Sequence, residues 1–429
     1  TPETALLPAA SCRGPGGRGT LDPKYELRNF RPLAFTGAEM TEARCDVLVI
    51  GGGPAGITCG VVAARMGLST VVVDARDGST DAADEGRAVA LLAGTRDRLI
   101  DLGLWDGLAP AVQPLERVRV QNAATGHEHL YRAHDLGRTA LFHGIAYAAL
   151  RQRLAAGLAD TPGVRHLGKR RLTALQLDAG WRRATLDNGR QLYARLVIGA
   201  DGRRSTVREA VGLSARRTDY PQSALIFAVE GRGLEPNTVL ERMTDEGPIS
   251  VLPLRDDRFA VTWVGGTTAM QRRRHHAPAE LLAELAAALG LDGLRALRLA
   301  TPVTAQRLGL THADRYVAPR LVLMGDAAHG AHPVHAQGFN MAIGDVHELA
   351  MLWRVEGRRF AGAETLARYQ RNRRLANAAR LGLTDVVNRL FGEATAPWAF
   401  LHGTVTNAVT AQEGMPAPPP EARTARARR

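Results

Sequence analysis

Short apolar, β-branched runs that stop on glycine or an acid recur at wide intervals along the chain. Residues 45–50 (CDVLVI), 69–73 (STVVV), 196–198 (LVI) and 320–324 (RLVLM) lack the alternation of a half-exposed strand. They read as strands buried on both faces, the pattern of a parallel sheet. Residues 54–66 have a helical pattern, so the first two runs form a strand-helix-strand unit. The middle of the chain differs. Residues 181–186 and 191–193 flank Asp187-Asn188-Gly189-Arg190, an Asn-Gly hairpin signal, and 222–230, 238–243, 249–254 and 259–264 are short strands broken by turn residues. They suit a mixed sheet. Residues 278–289 and the long stretch 342–390 read as helix. In 365–390, apolar positions at helical spacing predict a core or interface face, with surface membrane contact as the alternative.

The candidate chemistry lies where the buried runs end. Gly51, Gly53 and Gly56 follow the first strand in GxGxxG register. Gly51 permits a tight turn, Gly53 lets the backbone approach a pyrophosphate, and Gly56 lets helix pack on strand. The helix start at Pro54 and Ala55 offers free N–H groups and a positive dipole end to phosphates. Asp74 closes the second strand, where a ribose hydroxyl is gripped in dinucleotide sites. An ordinary tight turn would explain the glycines alone, but not the ordered series of strand, glycines, helix, strand and acid.

A nicotinamide enzyme would need only that half. The last buried run continues into Gly325-Asp326, Ala-Ala-His, Pro333 and Gln337-Gly338-Phe339-Asn340, which opens a long helix. An aspartate at a strand end can accept from a sugar-alcohol hydroxyl, and a helix start near Gly338 can stabilise negative charge on a reduced isoalloxazine. The two halves together point to FAD.

Between them, 196–208 (LVIGADGRRSTVR) carries Asp201-Gly202. With GxGxxG, Asp-Gly and Gly-Asp in this order, the chain resembles the class A flavoprotein monooxygenases of the para-hydroxybenzoate hydroxylase fold. Residues 85–106 (EGRAVALLAGTRDRLIDLGLWD) and 241–265 (ERMTDEGPISVLPLRDDRFAVTWVG) look like the ubiquinone-biosynthesis hydroxylase branch, and the likeness runs over about 45–390.

That resemblance implies an α/β fold: an FAD-binding, Rossmann-like domain of the glutathione-reductase type, interwoven with a mixed-sheet substrate domain and followed by a C-terminal helical region. The FAD parts are expected at about 44–115, 141–212 and 303–356, the substrate sheet at about 116–140 and 213–302, and the last helices at 357–390. Gly51, Gly53, Gly56 and Asp74 would hold the ADP half, with Arg87 near the diphosphate and Asp201 beside the pyrophosphate. Asp326 would bind the ribityl chain, and Pro333, Gly338 and Asn340 would frame the ring. Arg87 as a solvated charge and Asp201-Gly202 as a plain turn are the alternatives. NAD(P)H would reduce the flavin, and O2 would add as a C4a-hydroperoxide whose distal oxygen goes to an aromatic ring, most simply that of a polyprenylated phenol. A small aromatic of other metabolism and a non-catalytic member of a quinone-biosynthesis assembly are the other readings. No side chain is singled out as catalytic.

Two positions depart from the family. Ala336 replaces a glycine of the usual Pro-x-x-Gly-Gln-Gly pattern, adding a methyl group where backbone approaches flavin. His143 stands where a polar residue such as asparagine is usual; it is expected to make a polar contact at the start of the next helix, with a catalytic base as the alternative.

The net charge of +12 raises a nucleic-acid partner, but 53 of the 55 basic residues are arginine, scattered and not interleaved with aromatic residues. No nucleic-acid partner is expected; an anionic membrane surface, where a lipid-like substrate is found, suits the charge better. Cys12, Cys45 and Cys59 form neither a disulfide framework nor a metal-ligand spacing. His329, His332 and His335 lack an accompanying carboxylate pattern, so no metal is expected, and one of them lining the substrate pocket is the better reading. No run approaches the roughly 18 apolar residues of a membrane span. A cytoplasmic protein, peripheral at the inner membrane face, is expected. Residues 1–43 should be a disordered extension, with Met40 a candidate initiator, and 391–429 a segment ending in a disordered basic tail from Met415.

Overall fold

The structure, a computed structural model, describes residues 42–76, 82–290, 297–330 and 337–391. The expected extension through Met40 and the basic tail lie outside the described residues, as do Pro333, Ala336, His332 and His335. Glu42 and Ala43, counted above with the extension, belong instead to the first strand, where they pair with Gln191 and Leu192.

The buried runs form one parallel sheet in the order Leu321–Leu323, Gln191–Gly199, Glu42–Ile50, Thr70–Val73 and Val164–Leu167. Val47, Leu48, Val49, Val72, Leu196 and Val322 are wholly enclosed, as a sheet covered on both faces requires. The helices Pro54–Arg65, Tyr147–Ala159 and Gln337–Glu356 pack around it. The hairpin Leu172–Asp178 with Trp181–Leu186 joins Gln191–Gly199 antiparallel. The Asn-Gly turn between Trp181–Leu186 and Gln191–Gly199 has Gly189 at φ +79°.

A second sheet runs Arg298–Leu299, Ala215–Glu230, Arg258–Gly266, Gly247–Pro253, Thr238–Thr244, Arg117–Asn122 and Glu128–Arg132. It is mixed, because Thr238–Thr244 pairs parallel with Arg117–Asn122 while the other pairs are antiparallel. One face, with Leu225, Phe227, Val251 and Trp263, packs on Leu281 and Leu285 of the helix Pro278–Ala288. The other, with Val118, Val239, Met243 and Leu252, packs on Ala88, Ala90 and Phe142. Those residues belong to a small bridging sheet, Ala88–Leu92, Phe142–Ala146 and Gln113–Leu115. Its opposite face sends Val89, Leu91 and Ile145 into the core of the parallel sheet.

Two expectations shift. Thr304–Ala313, assigned above to an FAD part beginning at 303, pairs with Ala215–Glu230 and is therefore a strand of the second sheet. Its register partners Arg216 and Arg217 also extend that strand well before residue 222. The helical stretch 342–390 is two helices, Gln337–Glu356 and Ala363–Phe391. They are separated at Gly357, whose φ of +52° ends the first, and at the wholly buried Phe360. Among the described residues no helix is long and apolar enough to cross a membrane.

Candidate active site

The three motifs meet because their strands end in register. Ile50 lies opposite both Val73 and Gly199, and Gly199 opposite Leu323. The ladder continues into the turns: the N–H of Gly51 donates to Val73 O (2.8 Å), that of Ala200 to Ile50 O (2.8 Å), and that of Met324 to Gly199 O (3.0 Å). Gly51, Asp201 and Gly325 thus stand side by side at the carboxyl edge of the parallel sheet, where open α/β sheets bind ligands.

At Gly51, φ is +114° and a Cβ would lie 2.2 Å from Ala200 O. A Cβ on Gly56 would lie 1.9 Å from Gly51 O, so the helix can approach the turn only with hydrogen there. Gly53 is different, with nothing within 4 Å of where its Cβ would stand. It is the N-cap of Pro54–Arg65, with no side chain capping it and no acid in the first turn. By helix geometry the N–H groups of Ala55 and Gly56 have no partner in the helix, which with the open space beside Gly53 suits an anion.

Beside this turn is a pocket of about 120 Å³ lined by Gly52, Asp74, Arg151, Leu158 and His166, among others. Asp74 is buried and accepts from the N–H of Arg76 at 3.1 Å. Gly52 is packed against it, a Cβ there falling 2.2 Å from Asp74 Oδ2. Arg87 stacks over Tyr147 at 4.3 Å and pairs with Asp84 at 3.2 Å. The same carboxylate takes Arg151 at 3.1 Å and Arg76 at 3.3 Å. Three guanidiniums on one carboxylate leave the surroundings positive, as a diphosphate requires.

On the other side, Asp201 Oδ2 accepts from the N–H of Val207 (3.0 Å), and Ser205 Oγ from that of Arg208 (2.9 Å), capping the helix Thr206–Ala210. Asp201 Oδ1 is shut off from solvent without a partner, and burial pushes this carboxyl up despite those bonds. Arg203 reaches Asp326 at 3.5 Å, and the buried Arg208 donates to Ala327 O at 2.8 Å, so the Asp-Gly segment holds the Gly-Asp segment. Gly325 has φ +56°, and a Cβ there would meet Ala55 at 3.3 Å and Ala342 at 3.6 Å. Asp326 is partly exposed, with Gly338 close to its Oδ1. Asn340 is buried, accepting from Leu92 N–H at 3.1 Å and donating to Ala90 O at 2.9 Å. It thereby pins the helix start to the edge of the bridging sheet.

Beneath the Gly-Asp turn is a charged cluster that sequence reasoning missed. Asp345 Oδ2 accepts from Gly325 N–H at 3.1 Å and meets His329, while Oδ1 takes Arg373 at 2.9 Å and Asn377 at 3.0 Å. Burial would raise this carboxyl, but His329 and Arg373 hold it well below the usual carboxylate range. The available signal was an acid on the apolar stripe of Met341, Ile343, Val346 and Leu349. Of the three histidines weighed above for the substrate pocket, His329 is therefore turned into this cluster, and the other two lie outside the described residues. Arg151, a lone cation on the buried side of its helix with Leu150 and Leu154, was missed for the same reason.

His143 does not do what was expected. It lies within Phe142–Ala146, paired with Leu91 on the face opposite the second sheet, and edge-on to Trp105 at 5.3 Å. The next helix has Ala146 as its N-cap, with no side-chain cap. Burial, with Arg96 nearby, pushes this imidazole down to about 4.

The arrangement fits FAD: an open Gly53, a pocket holding Asp74 and Arg151, an unpartnered Asp201 oxygen and a partly exposed Asp326 lie along one edge. A family model described as FAD binding domain matches residues 44–382. Ubiquinone hydroxylase UbiL of Rhodospirillum rubrum is 36% identical over 368 residues, 83% of this chain and 83% of that protein. The 3-demethoxyubiquinol 3-hydroxylase of Escherichia coli is 29% identical over 371 residues, 84% of this chain and 94% of that one. Among solved structures, P. aeruginosa PqsL in complex with 2-aminobenzoylacetate superposes with a TM-score of 0.73 at 21% identity, covering 84% of this chain and 100% of that chain.

Proposed function

Since the chain belongs to the FAD binding domain family, we propose that it is an FAD-dependent monooxygenase of ubiquinone biosynthesis that hydroxylates the ring of a polyprenylated phenol, with NAD(P)H as reductant and O2 as oxygen donor. The observation that carries this is the convergence of Gly51, Asp201 and Gly325 on one sheet edge, in a chain 36% identical to a ubiquinone hydroxylase over most of its length. When bound, FAD supplies the redox chemistry that joins NAD(P)H, O2 and the ring.

The protein's part is binding, orientation and exclusion of water. Gly51, Gly53, Pro54, Ala55 and Gly56 would cradle the pyrophosphate, and Asp74 would accept from the ribose in its pocket. Arg87 would add charge near the diphosphate, with Asp84 and Tyr147 fixing its position. Asp201 Oδ1 would find a donor in the bound cofactor or its reductant. Gly325 and Asp326 would hold the ribityl chain. The start of Gln337–Glu356 at Gly338 would face the ring, with Asn340 as the residue that positions it. Pro333 is proposed to border the same ring. The second sheet would roof the site and keep water from the reacting atoms. A prenyl chain partitions into lipid, so the protein is proposed to meet its substrate peripherally at an anionic membrane face of the cytoplasm.

The test is the visible spectrum of the purified protein before and after anaerobic NADPH, followed by O2 with 2-prenylphenol. Oxidised-flavin bands that bleach, then a product heavier by one oxygen atom, are expected. A colourless protein that cannot be loaded with FAD would overturn the proposal. So would NADPH oxidation that yields only peroxide with the prenylphenol, and a product formed only from small soluble phenols would move the substrate class.

A further inference from the structure

On the face of the second sheet that looks toward Ala88 and Ala90, one polar row crosses the apolar stretch formed by Val118, Val120, Val239, Met243, Leu252 and Ala260. On Thr238–Thr244, Val239 and Met243 belong to that face, while Leu240 packs on the opposite side. Alternation places Glu241 with Val239 and Met243. Glu241 pairs with Ser250, and Ser250 with Thr262, so three polar side chains lie side by side across the middle strands. Each is half-buried, whereas Val239, Met243, Leu252 and Ala260 around them are buried. The row is therefore less tightly enclosed than the rest of a face that looks toward Ala88 and Ala90, and Asn340 ties its helix start to Ala90.

The carboxyl of Glu241 is held at one end only. Ser250 Oγ donates to Oε1 at 2.7 Å, and Oε2 is closed off from solvent without a partner. No charged group compensates it among the described residues. Arg242, next along the strand, points to the other face and donates to Gln121 at 2.8 Å. The neighbouring strand presents Val118 and Val120 to this face, Gly247–Pro253 presents Ser250 and Leu252, and the bridging sheet presents Ala88, Ala90 and Phe142. His129, opposite Val120 and edge-on to Tyr131 at 4.4 Å, is two strands away. Burial in this setting pushes the Glu241 carboxyl up to about 7.

We propose that Glu241 receives the hydroxyl of the aromatic substrate, with Oε2 accepting the phenolic hydrogen bond and then the proton. The O–H bond of the phenol breaks, an O–H bond forms at Oε2, and the electron pair stays on the ring oxygen, enriching the ring for attack by an electrophilic oxygen. No electron is transferred in this step. Ser250 positions the carboxyl, and Thr262 flanks it. The assignment rests on the aromatic-hydroxylase reading and adds to it a catalytic residue and a requirement for a free hydroxyl on the ring.

The test uses the FAD-loaded full chain as wild type, Glu241→Gln and Ser250→Ala. Calorimetry compares binding of 2-prenylphenol with that of its methyl ether, which has no O–H, and turnover of the phenol is followed from about pH 6 to about pH 9. Wild type should prefer phenol over ether about tenfold or more, and its kcat should rise with pH near neutrality. In Glu241→Gln the limb should vanish and kcat fall about a hundredfold with the visible flavin spectrum retained. In Ser250→Ala, which loses a bond that favours the carboxylate, the limb should move to higher pH. A Glu241→Gln protein with the wild-type limb and rate overturns the assignment and leaves the hydroxylase reading standing. If Glu241→Gln loses its flavin, an unmoved limb in Ser250→Ala overturns it equally. A wild type that distinguishes neither ligand and makes no product overturns both.

Discussion

The carboxyl edge of the parallel sheet and the inner face of the second sheet are specified in opposite ways. At the edge the determinants are backbone: hydrogen atoms at Gly51 and Gly56, strand ends in register, N–H groups left over at a helix start. On the inner face the backbone is an ordinary sheet, and what distinguishes it is which side chain falls on which face, as with Glu241 between Val239 and Met243. A site of the first kind has little room for variation, while the second can change its ligand by single substitutions without disturbing the fold.

The sharpest way to break that contrast is Gly51→Ala. Its Cβ would lie 2.2 Å from Ala200 O at a φ of +114°, so strain and overpacking together should cost about 5 kcal/mol and remove bound FAD. Thermal unfolding and the flavin content of the purified protein check both.

Next is Arg373→Met, which strips a cation from the enclosed Asp345 and should cost about 4 kcal/mol. It asks whether the backbone site depends on side chains behind it. Because the Asp345 carboxyl is depressed in the folded state, the cluster's contribution is full above the ordinary carboxylate range and is lost as pH falls through the folded value. Denaturant titrations at falling pH should therefore show wild type losing stability toward the variant, and a constant difference would contradict this.

Glu241→Gln acts with the opposite sign. A carboxyl raised from 4.5 to about 7 makes the folded state less stable as pH rises between those values, and the cost persists above them. The amide should therefore stabilise the protein by up to about 3 kcal/mol at about pH 8 and not at about pH 4. Chemical denaturation at the two pH values decides it. Asp74→Asn should have the smallest effect, weakening FAD binding about tenfold, near 1.4 kcal/mol, with the melting temperature of the apoprotein unchanged. Flavin fluorescence titration measures it.

The same contrast explains what was legible beforehand. Glycine spacing, buried runs and the terminal acids Asp74 and Asp326 are local signals, and they located the strand ends that meet at the carboxyl edge and the strand-helix-strand unit. The hairpin at Asn188-Gly189 and the helix from Pro278 were equally local. Pairings between distant segments were not. Nothing near Thr304 announces that Thr304–Ala313 binds Ala215–Glu230, and nothing near Asp345 announces Arg373 and His329 as its partners. The role of Asn340 was also hidden, since its partners Ala90 and Leu92 are backbone groups some 250 residues earlier. Glu241 could not be assigned a face until its strand had neighbours on both sides.

The aligned ends at Ile50, Gly199 and Leu323 also bear on the order of events during synthesis. A nascent chain that has passed residue 199 has the nucleotide turn but lacks the strand that completes the edge, and the side of Val197 and Ile198 that meets Leu321 and Val322 is uncovered. Only after Leu321–Leu323 has left the ribosome does the third motif dock. Flavin capture is therefore expected only once this third strand is in place, and fragments ending before residue 320 should remain chaperone clients, however well their first strands fold.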